Sequence, residues 1–428
     1  MKNLTILLFL ISAALNAQNK KINKLITNIE PKVIEWRRDF HQHPELSNRE
    51  FKTAEKIAKY LKSLGLEVQT NVAHTGVVGI LRGGKPGAVV ALRADIDALP
   101  VTERTPVAFA SKVTSTYNGI ETGVMHACGH DSHIAILMGT AEVLTKIKDE
   151  IRGTVKFIFQ PAEEGAPKGE RGGAELMVEE GVLKNPDVDA IFGLHISAIT
   201  NVGIITYKPA GIMAAAQSFT IKVKGKQAHG SRPWEGIDPI VISAQIINGL
   251  QTIISRGTEL TKEAAVITVG LIRGGVRSNI IPEEVEMIGT IRTLDYDMQK
   301  KLNKEITRRV PAIAEAFGAT ATIEIDKGYP ITYNDVNLVN EMLPSLQKAA
   351  GKNNVKLINA VTGAEDFSFY QKEIPGFYFF LGGKPLDVSI ENTASHHTPD
   401  FFIDESGFKL GVEAFVNLTL DYLNQNPK

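Results

Sequence analysis

Val155-Lys156-Phe157-Ile158-Phe159-Gln160-Pro161-Ala162-Glu163-Glu164-Gly165 runs from an almost wholly apolar strand straight into a pair of acids. A strand with no polar face implies a sheet covered on both sides, as in α/β folds. The flanking segments agree. A helix begins near Asp131, with Ile134, Leu137, Met138, Ala141 and Leu144 on one side. Beyond the acids come a helix over Gly173 to Glu180 and an apolar strand over Ala190 to Leu194. Further out lie β-rich runs at Leu66 to Val72, Val77 to Leu81 and Ala88 to Leu92. Before them Lys20 to Gly65 is mostly helical: Ile22, Leu25, Ile26 and Ile29 recur at helical spacing, and a second helix from about Asn48 shows Ala54, Ile57, Ala58, Leu61 and Leu64 before Gly65 ends it. The predicted fold class is α/β, a mixed sheet flanked by helices.

From residue 211 the pattern changes. Ser218 to Lys224 alternates strictly, with Phe219, Ile221 and Val223 on one face. A helix over Asp238 to Ser255 follows, then strands Ala265 to Ile272 and Val285 to Thr293, a helix Asp297 to Phe317 and a strand Ala321 to Ile325. Strand, helix, strand, strand, helix, strand is a split βαβ of the ferredoxin type. We therefore expect an inserted ferredoxin-like α+β domain over 211–326, within an α/β domain formed by 20–210 and 327–428. Helix Val336 to Ala350, strand Phe377 to Leu381 and a last helix from Glu405 return to the α/β style.

A chain of 428 residues suits two such domains. Its net charge of -1 offers no basic field for a nucleic-acid partner. Lys2, the apolar run Leu4 to Leu15 and small Ala17 read as a signal peptide over 1–17, too short for stable membrane insertion. The protein is thus expected to be exported, to the periplasm or beyond. Its one cysteine, Cys128, can form no internal disulfide.

That cysteine lies in Met125-His126-Ala127-Cys128-Gly129-His130-Asp131-Ser132-His133. In an extended stretch residues i and i+2 point the same way, so Cys128 and His130 can grip one metal centre, with Asp131 and Ser132 opening the helix that follows. After the strand that opens this reading, adjacent Glu163 and Glu164 point in different directions, so that one can bind metal while the other accepts a proton from water. Asp95 and Asp97, in Arg93-Ala94-Asp95-Ile96-Asp97, share a face at another strand's end and can bind metal or orient a histidine. His195 ends a further strand, and His396 and His397 precede Thr398-Pro399 in a late loop. Strand after strand thus ends in a potential ligand. The inserted region offers His229, in Gln227-Ala228-His229-Gly230, Asn279, in Arg277-Ser278-Asn279, and Arg292 as groups for an oxyanion and a carboxylate.

These segments, with His41-Gln42-His43-Pro44-Glu45-Leu46, Gly173 to Leu183 and Gly363 to Tyr370, resemble the aminoacylase and carboxypeptidase superfamily of dinuclear metallohydrolases. They are most similar to its branch of hippurate hydrolases, N-acyl-amino-acid amidohydrolases and auxin-conjugate hydrolases. The resemblance implies metal ligands Cys128, His130, Glu164, His195 and His397, with Glu163 as general base and acid and Asp97 orienting a metal-binding group. It implies two divalent ions per subunit, Mn or Zn first, Co or Ni as alternatives. It also implies that the insert is a lid and dimerisation module, that His229, Asn279, Arg292 and Gly363 serve the substrate or oxyanion, and that the chain is a homodimer. The substrate it implies is an N-acyl amino acid. The residues by themselves leave open a dipeptidase or carboxypeptidase, and a cysteine hydrolase using Cys128 as nucleophile. One departure stands after His195, where Ile196-Ser197-Ala198-Ile199 occupies a place in which the family pattern expects a proline.

Overall fold

The computed structural model describes residues 19–427, together with the backbone of the helix Lys2–Gln42 that leads into them. The side chains of the signal peptide expected over 1–17 lie outside the described residues. Among these, no helix is long and apolar enough to cross a membrane.

The chain divides into two compact units: Met1–Pro209 with Asn334–Ile358 and Phe369–Lys428, and Ala210–Tyr333 with Asn359–Ser368. The second unit runs past the expected 211–326 to Tyr333 and takes in a later segment.

The first unit is built on an eight-stranded sheet in the order Glu67–Val72, Gly76–Arg82, Arg152–Gln160, Lys85–Asp95, Ala190–Asn201, Gly376–Lys384, Ile205–Tyr207, Val355–Leu357. Its four middle strands are mutually parallel, and antiparallel pairings flank them, so the sheet is mixed. The middle strands are buried almost end to end, which is why they read as continuous apolar runs. Helices Lys2–Gln42, His130–Thr145 and Phe408–Gln425 pack on one another, and the last two lie on the sheet. Every residue from His130 to Leu144 is buried, so this helix has no polar side. Gly139 sets its close approach to its neighbours, since a Cβ there would stand 2.6 Å from Val33 Cγ2 and 3.3 Å from Val412 Cγ2.

The second unit has four antiparallel strands in the order Ala265–Gly274, Glu284–Thr293, Ala215–Lys224, Thr320–Ile325. Its helices Pro239–Gly257 and Tyr296–Ala316 turn Ile242, Ile246, Leu250 and Ile253, and Leu302, Ile306 and Val310, into one core with Phe219, Ile221 and Val223. Asp238 and Asp295 cap these helices by accepting hydrogen bonds from Ile240 N and Met298 N.

Candidate metal centre

Open parallel sheets bind ligands beyond the carboxyl ends of their strands. Here Lys85–Asp95 and Arg152–Gln160 end side by side, Asp95 paired with Gln160. Asp97 follows the first strand and Glu163 and Glu164 the second. His195 lies within its strand, which continues to Asn201, beyond the expected end at Leu194.

Cys128 and His130 are not on an extended segment, as the i, i+2 reading required. Gly129 between them adopts φ 92°, and His130 already opens the helix, so Gly129 holds the capping position expected of Asp131 and Ser132. The left-handed turn, rather than a strand's alternation, aims thiol and imidazole at one place. A side chain at 129 is doubly excluded, since a Cβ would stand 2.3 Å from Ile196 Cγ2. The two glutamates also differ from expectation: both converge on His130, whose Nε2 lies 4.0 Å from Glu163 Oε2 and 4.0 Å from Glu164 Oε1. The cause is Ala162, left-handed at φ 52°, which turns the chain just before them. His397 is left-handed too, at φ 64°. Such backbone costs a non-glycine residue about 1–3 kcal/mol, and both are tied down: Ala162 N donates to Glu50 Oε1 at 3.0 Å, and His397 N to Ala127 O at 2.9 Å.

The ligand atoms fall into two triads that share the cysteine. Cys128, His130 and His195 form one and Cys128, Glu164 and His397 the other, with the atoms of each within 4.8 Å of one another. Cys128 Sγ lies 3.4 Å from His195 Nε2 and 3.3 Å from His397 Nε2, and His397 Nε2 lies 3.1 Å from Glu164 Oε1. Donors of the zinc type sit about 2.0–2.3 Å from their ion, so pairs sharing one stand about 3–4.5 Å apart.

The histidines divide by which nitrogen is already occupied. His130 Nδ1 faces the Asp97 backbone oxygen at 2.9 Å and its carboxylate at 3.2 Å, while His195 Nδ1 faces Ile196 O at 2.6 Å. With an ion at Nε2, each would keep its proton on Nδ1, the arrangement of a metal-binding imidazole. His133 and His396 are the reverse. Their Nε2 atoms accept from Ile196 N at 2.8 Å and Ala198 N at 3.1 Å, leaving the N–H on Nδ1. Both donors come from the stretch where the family pattern expects a proline, a residue with no N–H. Here that stretch runs on as strand.

The donor set fits a cation. His130 Nε2 and Glu164 Oε1 are buried without a hydrogen-bond partner, the close approach of His397 to Glu164 not being aligned as one. Orphaned atoms of this kind cost roughly 1–3 kcal/mol each unless something takes their lone pairs. Sulfur, nitrogen and carboxylate donors together suit borderline divalent ions better than Mg²⁺ or Ca²⁺. Burial, reinforced by the charges of Glu164 and Glu163, pushes the Cys128 thiol well above its ordinary range. Burial and then His133 hold His195 well below its ordinary value, hence neutral with a lone pair to give.

Of the residues singled out from the sequence, Asp97, Cys128, His130, Glu163, Glu164, His195 and His397 come together in the first unit. His229, Asn279, Arg292 and Gly363 belong to the second. There Gly230 N donates to Asn279 O at 2.8 Å, bringing the loops of His229 and Asn279 together. His229 Nδ1 accepts from Ser231 N at 3.1 Å, Arg292 lies opposite Ala216 and Val266, and Gly363 O accepts from Ala214 N. The sequence reading passed over Glu50, and it quoted His133, partner of Asp95 at 2.5 Å, and His396, 3.6 Å from Cys128 Sγ, without giving them a role. Repetition of His-His before Thr398 was the only signal for the last.

Such a centre at the end of a parallel sheet defines a metal-dependent hydrolase. The comparisons with known proteins agree, and the chain belongs to peptidase family M20/M25/M40, whose model matches residues 91–421. It is 41% identical to thermostable carboxypeptidase 2 of Saccharolobus solfataricus over 95% of this chain and 99% of that protein. It is also 41% identical to an N-acyl-L-amino acid amidohydrolase of Geobacillus stearothermophilus over 72% of this chain and 80% of that one. Among solved structures, the Bacillus subtilis YXEP protein, described as a dinuclear metal binding peptidase of the M20 family, superposes with a TM-score of 0.77 at 36% identity, covering 93% of this chain and 99% of that one. The protein is an amide-bond hydrolase of this family.

Proposed function

We propose that the protein hydrolyses the amide of N-acyl amino acids, with acetyl, benzoyl or similar acyl groups, to a carboxylic acid and a free amino acid. The observation that carries the reading is the pair of triads meeting at Cys128. Cys128, His130 and His195 would hold one divalent ion and Cys128, Glu164 and His397 the other, Mn or Zn by preference, with Co or Ni as alternatives. Bound there, such ions would supply Lewis acidity toward the attacking water and the amide carbonyl. Glu163, with Oε2 4.0 Å from His130 Nε2, would act as general base toward the attacking water and as general acid toward the leaving amine nitrogen. Asp97 keeps the His130 ring in place through Nδ1. By the family resemblance, His229, Asn279 and Gly363 serve the carbonyl oxygen and Arg292 the substrate carboxylate, on a unit that acts as lid and dimerisation module.

The test pairs metal analysis with a substrate panel. Chelation is expected to abolish hydrolysis and added ions to restore it. Glu163→Gln should keep its metal while kcat/KM falls about 10²–10⁴-fold; a metal-loaded Glu163→Gln enzyme with most of its activity overturns the assignment. A second reading, a carboxypeptidase or dipeptidase, is favoured by the similarity to a carboxypeptidase along almost the whole chain. Faster cleavage of dipeptides than of N-acetyl and N-benzoyl amino acids would decide for it.

A further inference from the structure

We propose that His396 is a positioning residue for the bridging sulfur: its Nδ1–H faces Cys128 and sets how much electron density the thiolate offers the ions. The inference rests on the metal reading above. His396 stands beside His397 in sequence and beside His195 in space, with ring centroids 5.3 Å apart, yet it has no lone pair for an ion. Ala198 N occupies its Nε2 at 3.1 Å, so the ring proton is on Nδ1, 3.6 Å from Cys128 Sγ and in reach of the Cys128 backbone oxygen as well. Phe401, with its ring centroid 4.8 Å away, closes the other side and fixes the ring. A hydrogen bond to a thiolate withdraws charge from sulfur and stabilises the ionised form. Cys128 is buried, with the Glu164 carboxylate within 4.8 Å of its sulfur, so few other donors can reach it. Two histidines so close in the chain thus divide the work: one binds the ion, the other conditions the sulfur that both ions share.

The test uses the full-length protein loaded with Co²⁺, reading the thiolate-to-cobalt charge-transfer band and the Co²⁺ affinity by competition. His396→Phe keeps the ring and loses the donor. It is expected to move the band to longer wavelength and weaken binding about 10-fold. His396→Asn places an amide N–H near the Nδ1 position and is expected to restore the wild-type band. His396→Gln, whose amide reaches toward the Nε2 position, is expected to behave like His396→Phe. An unmoved band in His396→Phe overturns the proposal, as do Asn and Gln variants that shift alike; the latter comparison decides if the Phe variant does not fold. The metal reading fails separately, and takes this inference with it, if wild type shows no sulfur band or Cys128→Ser matches the wild-type spectrum.

Discussion

Glu50 is a fully buried acid whose two oxygens are taken by the Thr75 hydroxyl and, at 3.0 Å, by Ala162 N. Burial, with the charge of Asp97 beside it, pushes its carboxyl up to about 8, so at neutral pH it holds the loop before Glu163 mainly in its uncharged form. An amide can do the same work. Glu50→Gln is expected to unfold within about 0.5 kcal/mol of wild type at pH 7, with kcat/KM preserved. Glu50→Ala leaves the Ala162 N–H unsatisfied next to strained backbone, and should cost about 2–4 kcal/mol and most of the activity. Urea unfolding and initial rates check both; a Gln variant as damaged as the Ala variant would mean the charge itself is needed. No local pattern announces this residue, for Glu50 and Ala162 are 112 positions apart. Cys128, Glu163 and Glu164 were legible because they sit in short motifs dense in potential ligands. Glu50, His133 and His396 act through hydrogen bonds between distant segments, and such bonds have no period along the chain.

Helix His130–Thr145 carries the proposed ligand His130 at its first residue and is locked in place further along at Gly139. Alanine at 139 would gain up to about 1 kcal/mol of helix propensity. Its Cβ would nevertheless stand 2.6 Å from Val33 Cγ2 inside packed helices, and overpacking costs typically about 1–3 kcal/mol. Gly139→Ala is therefore expected to lower stability by about 1 kcal/mol, and Val33→Ala in the same chain to recover part of that loss. A denaturation cycle over the two single variants and the double measures the coupling, and strict additivity would show that the contact is not what limits this helix. At this scale the sequence was read well wherever a period existed: helix Val336–Ala350 coincides with its expectation. Strands of three or four residues, such as Ile205–Tyr207 and Ala210–Met213, are too short to show one. The order of the eight strands, set by long-range pairing, was not legible at all.

Across the whole molecule, proton binding links the fold to the ions with opposite signs. His41 is buried between Asp131, 2.7 Å from Nδ1, and Glu103, 3.1 Å from Nε2. Burial disfavours its charge and Arg37 opposes it, but Asp131 and Glu103 outweigh both, so its pKa is raised. A raised histidine contributes stability that is complete below its unfolded pKa of about 6.5 and is lost as pH rises through the folded value. His130 adds to the same trend: burial lowers it, yet Asp95, Asp97 and Glu164 push it up to about 10. Glu103 supplies the other limb, for burial is outweighed by His41 and Thr105 and its pKa is lowered, so its contribution is lost as pH falls below about 4.3. Burial holds His126, His195 and His396 low, so they cost stability as pH falls below about 6.5. The metal-free protein is thus expected to be most stable near about pH 6.5 and to weaken steadily toward pH 9. On the proposed ligand set ion binding would run the other way, because Cys128 and His130 would give up protons to it, so affinity is expected to rise with pH. Thermal unfolding of chelated and metal-loaded protein from pH 5 to 9 should give curves that diverge as pH rises. His41→Gln should flatten the alkaline slope of the chelated protein while leaving the pH dependence of metal affinity intact. Parallel curves would sever the link between the buried histidines and the centre.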